Sequence, residues 1–157
     1  MENLISPADG TVTEIKNMTE TAFIGGECVR ISIFMSPLDV HVNRAPCEGL
    51  IVRVLHVSGD FAVAFKKDID KENERNNILI EQSGEKILVV QIAGFLARRI
   101  IPYVKETDLV KQGEPIGIIA FGSRVDIYFP KMYEPVVQLE EKVKAGLTVV
   151  AMKKGAQ

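Results

Sequence analysis

Three residues far apart in the chain, Ser123, His41 and Asp9, are of the types that together activate a hydroxyl group. A serine oxygen becomes a nucleophile when an imidazole takes its proton. A carboxylate accepting the other imidazole N–H then fixes the tautomer and stabilises the imidazolium. Ser123 follows Gly122 in Phe121-Gly122-Ser123-Arg124, between an apolar run and the alternating stretch Val125-Asp126-Ile127-Tyr128-Phe129. A Gly-Ser pair there bends the backbone and reads first as a turn. His41 lies in Ser36-Pro37-Leu38-Asp39-Val40-His41-Val42-Asn43-Arg44-Ala45-Pro46, whose prolines restrict the backbone and suit a segment that presents side chains. Asp9, before Gly10, reads first as an Asx turn and, chemically, as the carboxylate partner of an imidazole. The other histidine, His56, sits inside the run Val54-Leu55-His56-Val57 and reads as a hydrogen-bonded structural residue.

The elements that must position these residues are strands. Val12 to Ile15, Val29 to Phe34, Leu50 to Val57, Ile78 to Glu81, Ile87 to Ile92, Ile116 to Phe121, Val125 to Phe129 and Leu147 to Met152 are short Val- and Ile-rich runs closed by turn residues. The chain is therefore read as mainly β with few short helices, one domain over residues 1–157. Lys66 to Asn77, crowded with charges of both signs, reads as a solvated loop or a flap over a site. Two stretches recur. Val110-Lys111-Gln112-Gly113 returns as Val143-Lys144-Ala145-Gly146, and Ser6-Pro7-Ala8-Asp9-Gly10 returns as Ala45-Pro46-Cys47-Glu48-Gly49. Such glycine-closed units resemble the barrel-sandwich architecture of biotinyl and lipoyl carrier domains. Ala151-Met152-Lys153 resembles the hairpin where biotin is attached, so a non-catalytic carrier is the alternative reading.

Composition narrows the classes further. A net charge of −2, with no basic cluster beyond pairs such as Lys66-Lys67, argues against a nucleic-acid binder that neutralises many phosphates. Cys28 and Cys47 lack zinc-site spacing and read as two reduced thiols, with no metal expected. No window is long and apolar enough to cross a bilayer, so contact with a membrane is expected to be peripheral.

Five ordered motifs carry a more specific message: Ser6 to Gly10, Met35 to Pro46, Asn73-Glu74-Arg75-Asn76-Asn77, Gln91-Ile92-Ala93-Gly94-Phe95-Leu96-Ala97-Arg98-Arg99-Ile100, and Phe121 to Asp126. Together they resemble the phosphatidylserine decarboxylase family in its short prokaryotic or archaeal form. The resemblance implies a proenzyme that cuts itself between Gly122 and Ser123 into chains 1–122 and 123–157. His41, oriented by Asp9, would activate Ser123, which ends as a pyruvoyl cofactor. It implies decarboxylation of phosphatidylserine, or a related serine-headgroup lipid, to the ethanolamine lipid through a Schiff base. A member acting on a soluble amino acid is a further alternative. His41 is also the implied proton donor to the α-carbon.

The pattern is departed from in two places. Where many members have a second histidine, this chain has Arg44, a candidate substrate anchor through its two-pronged grip on carboxylate or phosphate. Arg124 follows the serine as in the short forms and is a second candidate for substrate binding. Only five residues precede Ser6, where members usually carry tens that are often membrane-seeking. The expectation is either a soluble core without that segment or a substrate outside the bilayer. Phe95-Leu96 beside Arg98-Arg99 would suit a peripheral site on the inner face of the cell membrane. The resemblance also implies a homodimer of processed heterodimers.

Overall fold

The structure, a computed structural model, describes residues 3–36, 38–39, 41–58, 73–94, 100–119 and 122–155. Among these residues the strands are, in chain order, β1 (Asn3–Ile5), β2 (Gly10–Glu20), β3 (Gly26–Met35), β4 (Val42–Arg44), β5 (Gly49–Val57), β6 (Arg75–Gln82), β7 (Glu85–Ile92), β8 (Ile100–Pro102), β9 (Leu109–Val110), β10 (Pro115–Ile119), β11 (Ser123–Pro130), β12 (Tyr133–Pro135), β13 (Lys142–Val143) and β14 (Val149–Lys153). Six of the eight predicted apolar runs lie within the longer strands; Leu147 to Met152 joins β14 only from Val149, and Ile116 to Phe121 is in β10 as far as Ile119, its last two residues lying outside the described ones. The strands not foreseen have two or three residues, too few to show a period. The described residues contain no helix, so the few short helices expected from the sequence have no counterpart there.

Alternation decides which face each residue takes. In β3, Ile31 and Ile33 are fully buried in the main core, and Arg30 and Ser32 turn to the other side of the sheet. Burying such an isoleucine contributes about 1.5–3 kcal/mol over leaving it in water. On the opposite face a smaller cluster, Leu79, Leu88, Val90 and Ile92, packs under Phe23 and Ile24.

The fold is a duplication. The large curled sheet has the order β13-β2-β3-β11-β7-β6-β5-β9, and two small sheets have the orders β1-β14-β12 and β4-β10-β8. Reading the large sheet from either edge gives the same succession of elements. One half consists of β1–β3 and β11–β14, and the other of β4–β10. The second is inserted in the first between β3 and β11; we call them the split half and the inserted half.

Backbone details repeat with the strands. Register shifts occur between Val12 and Glu14 in β2 and between Ile51 and Arg53 in β5. Val12 exchanges bonds with Glu140 and Glu141 just as Ile51 does with Thr107 and Asp108. The Ile5 N–H reaches Pro46 O and the Arg44 N–H reaches Pro7 O, reciprocal bonds that tie the halves together. The two sequence echoes are the visible trace of this duplication.

Two local expectations change. Arg75–Asn77, read as part of a polar loop, begin β6. Two of the side chains reach neighbouring strands, Asn77 Nδ2 donating to Leu55 O at 3.1 Å and Asn76 Nδ2 to Gln91 Oε1. Residues 66–72 of that loop, like Phe95-Leu96 and Arg98-Arg99, lie outside the described residues. Lys153 is not at a hairpin tip. It pairs with Tyr133, and its Nζ lies 2.6 Å from Glu85 Oε1, which deprives the carrier reading of its attachment site.

Candidate active site

Ser123 opens β11, is buried, and pairs with Met35 at the end of β3. Val125 and Ile127 of the same strand lie in the core, so Ser123 shares their inner face. Its hydroxyl oxygen accepts the Gly94 N–H at 3.4 Å. Gly122 adopts a left-handed φ of 73° and donates its N–H to Met35 O at 3.1 Å. Its carbonyl is pressed against Gly94, where a Cβ would lie 2.1 Å from Gly122 O and 2.9 Å from the carbonyl carbon. A side chain at 94 would therefore have to displace the Gly122–Ser123 peptide. Sequence reasoning missed Gly94, because a glycine closing an apolar run is also the commonest sign of an ordinary turn.

His41 arrives at the same place through the backbone. Its carbonyl accepts the N–H of Ile119, the last residue of β10, at 3.2 Å, and the segment before it starts at Met35, the partner of Ser123. The two connections between the halves, from β3 to β4 and from β10 to β11, are thus held together at both ends, Met35 against Gly122 and His41 against Ile119. One carries His41 and the other Gly122 and Ser123.

Beneath Ser123 runs a string of buried amides. Asn76 Nδ2 donates to Gln91 Oε1 at 3.1 Å, Gln91 Nε2 to Asn43 Oδ1 at 2.9 Å, and Asn43 Nδ2 approaches the Met35 sulfur at 3.8 Å. All three amides are fully buried. They stand inside the motifs that carry the family resemblance, but a neutral amide gives no chemical signal in sequence.

The other predicted residues are engaged elsewhere. Asp9 is not a local Asx turn; that work falls to Ser6, whose Oγ binds Ala8 at both N and O. The Asp9 carboxylate is nearly buried. Its Oδ1 accepts the Ala145 N–H at 2.7 Å and its Oδ2 lies 3.6 Å from Lys144 Nζ, so its hydrogen bond comes from the 144–146 turn and not from His41. Arg44 Nη1 donates to Gly113 O at 2.8 Å, and its stem lies against Gly146. The arginine clasps the two repeated glycine turns. Arg124 faces away from Ser123 and pairs with Asp126, Nε to Oδ1 3.0 Å. Burial pushes the Asp126 carboxyl above its ordinary range, with Arg124 opposing.

His56 does have a partner, Glu74, with Nε2 3.1 Å from Oε1. Cys28 and Cys47 are buried free thiols, and desolvation pushes Cys47 up to about 12. A groove between Phe23, Val57, Arg75, Val90 and Tyr128 lies on the outer sheet face, away from this constellation.

The sequence has counterparts among known proteins. Residues 1–151 match the model of a family described as phosphatidylserine decarboxylase. The chain is 46% identical over 153 residues to a phosphatidylserine decarboxylase proenzyme of Carboxydothermus hydrogenoformans, a match covering 97% of this chain and 72% of that one. It is 42% identical over 167 residues to a putative archaetidylserine decarboxylase proenzyme of Methanocaldococcus jannaschii, covering 96% and 81%.

Proposed function

The chain belongs to the phosphatidylserine decarboxylase family, a family of carboxy-lyases, and we propose that it cuts itself between Gly122 and Ser123 and then decarboxylates the serine headgroup of a phospholipid. The observation that carries this is the fit of the Gly122 carbonyl against the bare Cα of Gly94, with the Gly94 N–H on the Ser123 hydroxyl. Both atoms that must join are held by one glycine. In the processing step His41 takes the Ser123 proton, and Ser123 Oγ attacks the Gly122 carbonyl carbon. The C–N bond breaks and the amide becomes an ester. Loss of the Ser123 α-proton expels Gly122 as a carboxylate and leaves dehydroalanine. This tautomerises, takes up water and loses ammonia, leaving a pyruvoyl group at residue 123.

The place suits that group, since the Gly94 N–H remains a donor for an oxygen there and no side chain at 94 intrudes. Once formed, the pyruvoyl carbonyl supplies an acceptor for the headgroup amine and a sink for the electrons released with carbon dioxide. His41 is assigned the proton delivered to the α-carbon, a task suited to an imidazole at neutral pH. To orient that imidazole, the Asp9 carboxylate would have to accept its N–H in addition to the Ala145 N–H already on Oδ1. Arg44 and Arg124 could meet the substrate through guanidinium N–H groups beyond those already given to Gly113 and Asp126.

The relatives are named for phosphatidylserine and for archaetidylserine. What those names share is the serine headgroup, and we assign that headgroup, not one lipid tail, as the substrate class. A lipid substrate implies work at a membrane surface, which we place at the inner face of the cell membrane, with the processed chains paired as a homodimer.

The test is a denaturing gel with mass measurement of the fragments. Purified protein should yield a chain ending at Gly122 and one of 35 residues (157 − 122 = 35) with a carbonyl at its start. Ser123→Ala should remain intact. A Ser123→Ala protein that still gives two fragments would place the cut elsewhere. Carbon dioxide release from phosphatidylserine, compared with free serine, then checks the second reaction.

A further inference from the structure

The duplication provides an internal control for the amide string. Gln91 pairs with Asn76 in the inserted half, and at the equivalent register of the split half Phe129 pairs with Val29. By the same correspondence Asn43 answers to Leu4, because the bond from Arg44 N to Pro7 O mirrors that from Ile5 N to Pro46 O. Leu4, Val29 and Phe129 are buried core. The fold fills these positions with apolar side chains at one end of the barrel and with three amides at the end that holds Ser123. The amides are therefore not a requirement of the architecture.

The string has a direction, and it ends on an open acceptor. Each amide nitrogen donates to the next member, while Asn76 Oδ1, fully buried, receives no hydrogen bond. Beside it Glu74 Oε2 is likewise buried without a hydrogen-bond partner, its twin Oε1 being held by His56. Period-two alternation in β6 puts Asn76 on the inner face with Ile78 and Ile80, His56 lies directly across from Asn76, and the Glu74 carboxylate is beside them on the His56 ring. Glu74 O takes the Ala93 N–H, and the next residue, Gly94, touches Ser123. Two neighbouring strand spacings, about 10 Å, thus separate the Glu74 backbone from Ser123, and the glutamate side chain spans part of that.

Leaving a buried acceptor without a donor is costly, and two side by side call for a ligand rich in N–H and positive charge. We propose that Glu74 and Asn76, with His56 supporting Glu74, form the subsite that receives the ammonium group of the amino-acid headgroup. This rests on the reading of the substrate as a serine-headgroup lipid. The carboxylate offers Oε2 to one ammonium N–H and the Asn76 carbonyl takes another, which holds the nitrogen over the inner face beside residue 123 before it reacts.

Binding can be measured where no reaction follows, in the full-length Ser123→Ala chain. Dihexanoyl phosphatidylserine and dihexanoyl phosphatidylglycerol carry the same net charge, but only the first has an ammonium group. Below their micelle concentrations, calorimetry should show phosphatidylserine binding about tenfold more tightly. Adding Glu74→Gln should abolish that preference with phosphatidylglycerol affinity unchanged, and Asn76→Val, the residue of the split half, should reduce it. A preference that survives Glu74→Gln, or a loss that is equal for both lipids, overturns the subsite. A parent chain that proves uncut on the gel yet discriminates between the two lipids would sink self-processing and leave the subsite standing.

Discussion

The two halves differ most at the turn between their third and fourth strands. In the inserted half β6 and β7 are joined by Ser83 and Gly84, at φ 52° and 80°, the left-handed pair that a tight hairpin needs. In the split half the same turn is open. Ser36 leads out toward β4, and Gly122, at φ 73°, leads back from β10. Gly122 keeps the conformation of Gly84, and Ser123 stands where Glu85 stands. A closed hairpin is held by its own two residues, whereas an open one must be held by what surrounds it. That is why the Gly122–Ser123 bond is gripped by Met35 on one side and Gly94 on the other. It also explains how the bond can be spared. Residues from 123 onward carry β11–β14, which complete the split half, and cutting the chain there breaks no strand pairing.

The sharpest way to break this comparison is to add one methyl group at each turn. At Gly84 a Cβ meets nothing within 4 Å, so Gly84→Ala costs only its left-handed backbone, about 1–2 kcal/mol. At Gly94 the same methyl collides with the Gly122 carbonyl. Gly94→Ala should slow self-cleavage by roughly a hundredfold or more, the usual effect of displacing reacting atoms by an ångström. Gly84→Ala should cleave at the parent rate. Time courses on a denaturing gel, with circular dichroism to confirm folding, give both rates, and equal rates would refute the distinction between the turns.

Asp9 and Glu48 occupy matching places in the echoed pentapeptides and do different work. Asp9 is buried and satisfies a backbone N–H of the 144–146 turn, while Glu48 is exposed and takes a hydrogen bond from Gln82 at 3.0 Å. Asp9→Ala leaves the Ala145 N–H without its acceptor and should cost about 1–3 kcal/mol in chemical denaturation. Glu48→Ala should stay within about 0.5 kcal/mol. If the Asp9 variant also processes more slowly at matched folded fraction, its carboxylate reaches His41 after all. Unchanged processing would make it a structural residue.

What the sequence showed of this fold was what period and repetition can show. The strands of five residues or more announced themselves by apolar runs, and the glycine echoes announced a duplication without revealing that one half sits inside the other. Strands such as β9 and β13, two residues each, exist only because β5 and β2 offer them edges. Of the candidate site residues, Ser123 and His41 stand out in the sequence because their side chains have reactivity of their own. Gly94, Asn43, Gln91 and Asn76 do not, because their parts depend on a missing side chain or on neighbours that only the fold supplies. Arg44 shows the reverse. Its charge suggests an anion, but the backbone carbonyl of Gly113 is what it holds.

The smallest effect is expected at Glu85, the counterpart of Ser123 in the closed turn. Here the inner face carries a carboxylate gripped by Tyr133 Oη at 2.5 Å and Lys153 Nζ at 2.6 Å. Burial works to raise its pKa, but the bonds from Lys153 and Tyr133 outweigh that and hold it below the ordinary value. A carboxyl depressed by folding stabilises above its unfolded pKa, near 4.3, and loses that contribution as pH falls through the lower folded value. In the proposed processing Glu85 would belong to the chain before the cut, and Tyr133 and Lys153 to the chain after it, so the clasp would also span the two products. The thermal midpoint of the cut protein should therefore fall more steeply below about pH 4 than that of Glu85→Gln. The difference at neutral pH should be about 1 kcal/mol or less, since Lys153 is partly exposed. Parallel pH profiles would mean that the strands alone hold the small chain in place.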